Sequence, residues 1–145
     1  MIELVITIAI GLVGGIAVGT QSPIAAAMSQ RVGSAASSVI VHFGGLVASL
    51  ILLFSRRGED IVQWRELPWY MLGCGGFGLV LYLSISHTIP KLGAVSAITL
   101  IIVGQLLAGV VIDYVGAFNV VPRGLDVNKV AGLILLFLGA YLVIR

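Results

Sequence analysis

The chain has 145 residues, 59% of them hydrophobic and only 10% charged, with a net charge of +2 and a mean hydropathy of +1.16. Soluble domains carry about 25% charged residues, so this chain cannot cover a water-facing surface, and lipid must take over part of it. The small net charge leaves no basic field for a nucleic acid, and a lone cysteine, Cys74, excludes a disulfide framework.

The eight basic and six acidic residues cluster between long apolar runs. Leu4 to Gln30 holds no charge and exceeds the ~18 apolar residues that mark a membrane span, so a first helix is expected over about residues 2–28. Ala25-Ala26-Ala27 looks like a signal cleavage site, but Met1-Ile2-Glu3 is acidic and the run exceeds the ~7–15 residues of a signal core, so a retained helix is expected. Gly11, Gly15 and Gly19 repeat every fourth residue and give the helix one smooth face. In Thr20-Gln21-Ser22-Pro23, Pro23 has no N–H for the carbonyl of Gly19, and interrupted helices of this kind recur at transporter binding sites. Gln21 has two readings: an inward-facing amide at a site, or a polar residue where the helix leaves the bilayer.

Val32 to Ser55 is again uncharged, and a second helix is expected over 35–55. Ser38, His42, Gly45 and Ser49 share one face of it. An ionisable side chain at this depth faces a bundle interior or water. Because imidazole as a class changes charge near neutral pH, His42 is either a proton carrier or a neutral hydrogen-bond partner between helices. A polar turn follows at Arg56-Arg57-Gly58-Glu59-Asp60.

The third helix is expected over 68–87, with Pro68 in its first turn and Trp64, Trp69 and Tyr70 as an interfacial belt. Gly73, Gly75, Gly76 and Gly78 crowd into about one turn, and Cys74 among them reads as a small buried packing residue. Tyr82 is an interior aromatic that either packs or lines a pocket. Pro90 and Lys91 are expected to end this helix and open the fourth, over 91–113.

Gln105 is the deepest polar residue of the fourth helix, with Gly109 and Asp113 following at four-residue intervals. An amide left unpaired in lipid costs a few kcal/mol, so Gln105 must meet another helix, a water or a solute. Asp113 is either a coupling or cation-binding carboxylate or a solvated interfacial one. Ser84, Ser86, Ser96 and Thr99 are expected to satisfy carbonyls of their own helices. Tyr114 to Asn128 is the longest loop, holding Gly116, Pro122 and Gly124. The fifth helix, over 128–144, has the shortest apolar run and reaches spanning length by letting Lys129 snorkel.

The expected fold is an all-α integral membrane protein of about five spans, a single membrane domain over 1–145 in the inner membrane. Lipid tails give helices no hydrophobic reason to associate, so small residues that allow close approach mark the contact faces. Gly11, Gly15, Gly19, Gly45, Gly104, Gly132 and Gly139 are the candidates for such packing, and a dimer is the natural inference. Arg56, Arg57, Arg65, Arg123 and Lys129 fall on one side, and Arg31, Lys91 and Arg145 on the other. That small bias places the N-terminus in the cytoplasm and makes insertion in both orientations an expectation. There is no nucleophile–base pair, phosphate loop or metal-ligand spacing, so neither enzymatic activity nor a cofactor or metal is expected.

The stretch Gly11–Gly19 with Gln21, the pair Gly93-Ala94, Gln105 with Gly109 and Asp113, and Gly132 with Gly139 together resemble the short YdcZ-like branch of the drug/metabolite transporter superfamily, over essentially the whole chain. The resemblance implies a five-helix half-unit that pairs with a second copy or a sister half into a ten-helix inverted-repeat transporter of an unidentified small solute. The small multidrug exporters of that superfamily carry a glutamate deep in their first helix. Here the only acid in that helix is Glu3, at its extreme end, so their proton exchange does not carry over. The competing expectation is a non-transporting membrane subunit that assembles with a larger partner. Gln21 and Gln105 favour transport, because a scaffold has less need of amides at depth.

Overall fold

In the computed structural model of the chain, residues 1–56 and 59–145 are described; Arg57 and Gly58 of the expected polar turn lie outside them. Among the described residues five α-helices appear in order: α1 (Ile2–Val32), α2 (Ser34–Ser55), α3 (Trp69–Leu72), α4 (Gly75–Val115) and α5 (Val127–Ile144). Four stretches are long and apolar enough to cross a membrane, namely α1, α2, Trp69–Val115 and α5. The third has 47 residues, about 70 Å of helix at ~1.5 Å per residue, or twice a ~30 Å hydrocarbon core. It is broken at Gly93, where φ is 78° and ψ 165°, and so holds two spans.

The chain divides into two compact units, Met1–His87 and Thr88–Arg145. In the first, α1 runs past the expected end near residue 28 to Val32, with Pro23 inside it. A proline costs a helix one hydrogen bond but does not by itself reverse the chain. Reversal comes at Gly33, whose φ of 88° and ψ of 153° lie in a region essentially reserved for glycine. Its N–H donates to Ser29 O at 2.9 Å, and its carbonyl accepts from Ser37 N at 3.0 Å. One residue therefore joins two antiparallel helices. They meet through Ser22, Ala25, Ala26 and Ser29 of α1 and Ser37 and Ser38 of α2, all buried.

The expected third helix is split. α3 stops at Leu72 and α4 starts at Gly75, because four glycines within six residues each weaken a helix by about 1 kcal/mol relative to Ala. Cys74 sits in this break and is exposed rather than buried. Before α3, the Asp60 carboxylate accepts from Val62 N at 3.1 Å and caps a 3-10 turn over Ile61–Glu66.

In the second unit the break expected at Pro90 lies at Gly93, since the positive φ is available only there. Ser84 and Thr99 bond carbonyls of their own helix as expected. Ser96 does not: its hydroxyl donates to Val143 O of α5 at 3.3 Å. Ser86 is buried, and its Oγ has no partner. Beyond α4, Gly116, Phe118 and Asn119 are left-handed, and a Cβ on Gly116 would stand 2.6 Å from Pro122 Cγ. The loop folds back so that Arg123 N–H donates to Asp113 O at 2.9 Å. Asp126 then caps α5 by accepting from Lys129 N at 2.7 Å.

Among the described residues the buried apolar side chains are Ala25, Ala26, Tyr82, Ile85, Ala97 and Ala140, while most Leu, Ile, Val and Phe residues are exposed. In water this surface would aggregate. In a bilayer it faces hydrocarbon as apolar as itself.

Candidate functional site

The first unit contains an open cleft of about 360 Å³ between α1, α2 and the start of α4. Tyr82 forms its floor: the ring is 5% exposed, and its hydroxyl donates to Ala25 O on α1 at 3.0 Å. His42, near the middle of α2, stands beside it with ring centroids 6.3 Å apart and planes tilted by 57°. The imidazole is tethered at Nδ1, which lies 2.8 Å from Ser38 O and 3.2 Å from Ser38 Oγ. A carbonyl oxygen can only accept, so Nδ1 carries a hydrogen and Nε2 of the neutral ring is an acceptor. Nε2 would lie 3.1 Å from a Cβ on Gly78. The ring reaches α4 because residue 78 has no side chain.

Gln21, Ser22 and Ser49 complete the polar lining. Ser22 is satisfied within α1, donating to Val18 O at 2.7 Å. The Gln21 amide and the Ser49 hydroxyl have no hydrogen-bond partner among the described residues. α1 continues 11 residues beyond Gln21, about 16 Å, and Gln21 itself is exposed at the rim of the cleft. No Asp, Glu, Lys or Arg lines this cleft.

Of the five residues singled out in the sequence, the structure brings together Gln21, His42 and Tyr82. Asp113 lies in the second unit, in a groove with Arg123 and Lys129. Gln105 is exposed, lines neither cavity and has no partner among the described residues. Among the described residues, beyond each glycine's own helix backbone and neighbours, a Cβ at Gly11, Gly15, Gly19, Gly45, Gly104, Gly132 or Gly139 would meet nothing within 4 Å. Gly132 and Gly139 line an apolar groove between α4 and α5. Sequence reasoning missed two parts of the cleft, the Ala25 carbonyl and the space at Gly78. Neither has a local signal, since each is defined by a residue on another helix.

The sequence matches, over residues 6–142, the family described as "Putative inner membrane exporter, YdcZ". No curated protein and no solved structure matches the chain. A match over nearly the whole length, on a chain whose apolar helices are long enough to cross a bilayer several times, leads to one assignment: the chain belongs to the YdcZ exporter family and is a multi-pass protein of the inner membrane.

Proposed function

We propose that the chain is one half of a small-solute exporter and that Gln21, His42, Ser49 and Tyr82 form its share of the binding site. The observation that carries this reading is the cleft itself. In a chain this apolar, it gathers an amide and a hydroxyl without partners together with a free imidazole Nε2. Unpaired polar groups at membrane depth are costly, and a polar solute that displaces water would satisfy them. With no fixed charge in its lining, the cleft suits an uncharged polar solute rather than a permanent ion.

A three-helix cleft is open, and a second half is needed to close it. The exposed glycine face of α1 (Gly11, Gly15, Gly19) supplies a surface for a second copy in inverted orientation or for a sister half. The weak basic bias between the two sides is compatible with dual insertion.

A thermal-shift screen of small polar metabolites on the purified protein tests the site, since a ligand raises apparent stability by RT ln(1 + [L]/Kd). A hit should lose its shift in Gln21→Leu and in Ser49→Ala and keep it in Gln105→Leu. The reverse pattern would move the site to Gln105. If no solute acts but a co-expressed membrane protein stabilises the chain, the non-transporting subunit reading replaces this one.

A further inference from the structure

The last turn of α4, the loop after it and the first turns of α5 enclose a groove of about 230 Å³. Its wall is aliphatic, with Val110, Leu133 and Leu136, and its polar lining is Asp113, Arg123 and Lys129. The backbones of both bases are fixed, Arg123 N–H on Asp113 O at 2.9 Å and Lys129 N–H on Asp126 Oδ1 at 2.7 Å. The three charged side chains nevertheless remain apart. Among the described residues the ion pair is Arg56–Glu59, and none of Asp113, Arg123 and Lys129 has a side-chain partner.

Two cations and one carboxylate that share a groove without pairing complement a ligand carrying both signs of charge. The aliphatic wall, at the end of a membrane span, complements a ligand with a hydrocarbon tail. We propose that this groove seats the headgroup of an aminophospholipid, phosphatidylethanolamine. Its phosphate lies between Arg123 and Lys129, its ammonium donates to the Asp113 carboxylate, and its first methylenes run along Val110, Leu133 and Leu136. A soluble zwitterion has no use for the wall. An anionic headgroup without an amine would pair with Arg123 and Lys129 but leave the Asp113 carboxylate without a cationic donor. Phosphatidylcholine carries the same charges, but its methyl groups remove the N–H donors that make an ammonium–carboxylate contact short and strong.

The test uses the purified full chain in detergent, with phosphatidylethanolamine, its mono- and dimethyl derivatives, phosphatidylcholine and phosphatidylglycerol of one acyl composition. Thermal shift and lipid retention in native mass spectrometry are read together. Phosphatidylethanolamine should bind roughly tenfold tighter than phosphatidylcholine, the scale of one charge-assisted hydrogen bond, with affinity falling stepwise as methyl groups are added. Asp113→Asn should erase that preference and keep the shared phosphate-dependent part, whereas Arg123→Gln with Lys129→Gln should lose both. The methylation series on the unmodified chain decides the matter even where a variant fails to fold. Equal binding across that series overturns the proposal, and so does stabilisation by phosphatidylglycerol alone, which would mark a simple anion site.

Discussion

From Ile2 to Val18 every residue of α1 is exposed, whereas Ser22, Ala25, Ala26 and Ser29 of the same helix are buried. The exposed half holds most of the large aliphatic residues of the helix, with Gly11 and Gly15 of the glycine repeat. The buried half is made of serine and alanine. In water the order would be reversed, because burial there follows apolar area. In lipid, apolar area confers no advantage, and the residues that pack are those small enough to let backbones approach, with hydroxyls that close on their own helix. The free half of α1 is thus surface that this chain leaves to lipid or, on our proposal, to a second half.

The largest test of that contrast is a leucine in each half. Ala25→Leu puts a branched side chain at a position 2% exposed and should destabilise the chain by about 3 kcal/mol through overpacking, seen as a lower unfolding midpoint in detergent. Next is the joint that creates the packed half. Gly33→Ala must hold a φ of 88° and should cost about 2 kcal/mol, whereas Ala at Gly44, which is inside α2 with open space around it, should be neutral or stabilising.

A smaller effect is expected at the cleft. Gly78→Ala places a methyl 3.1 Å from His42 Nε2, so the ring must give by a few tenths of an ångström where it faces the cleft. The expected cost is about 1 kcal/mol, with loss of any solute-dependent thermal shift. Tyr82→Phe removes the hydroxyl from Ala25 O and should cost only about 0.6 kcal/mol, the average for such bonds in membranes. The smallest effect belongs to the exposed half of α1. Gly15→Leu should leave the unfolding midpoint of the single chain unchanged, because among the described residues no other helix comes within 4 Å of its Cβ position. If the variant weakens self-association in native mass spectrometry, the face is an interface between copies; unaltered association would show that it faces lipid.

Span number and membrane class were legible because charge-free runs are long and their ends are marked by Arg31, Arg56, Lys91 and Lys129. Where the chain reverses was less so. Pro23 and Pro90 look like breaks, yet both lie inside helices, and the non-helical residues are Gly33 and Gly93. A missing N–H is tolerated within a helix, while the positive φ found at these two points is open to glycine and not to proline. Rotation of a helix about its axis was not legible. A helix apolar all round has no polar face to orient it, so nothing in the sequence separated Gln21, which lines the cleft, from Gln105, which does not. His42, Tyr82 and Gln21 stood out as polar or aromatic groups at depth. The Ala25 carbonyl and the room at Gly78 could not, because an alanine and a glycine carry no sign of what a neighbouring helix will bring.

Gly33 and Gly93 share nearly one backbone conformation, φ 88° and ψ 153° against φ 78° and ψ 165°, and each is the entire connection between two apolar segments. A connection of one residue cannot be threaded through a bilayer after the first helix has settled there. Entry of the segments on either side of such a glycine as a pair would carry a single basic residue, Arg31 or Lys91, across the bilayer. At about 2.5–3.5 kcal/mol per charge on the insertion scale, that is a light load for two apolar segments, and early biogenesis of this chain becomes a matter of paired entry rather than of translocating loops.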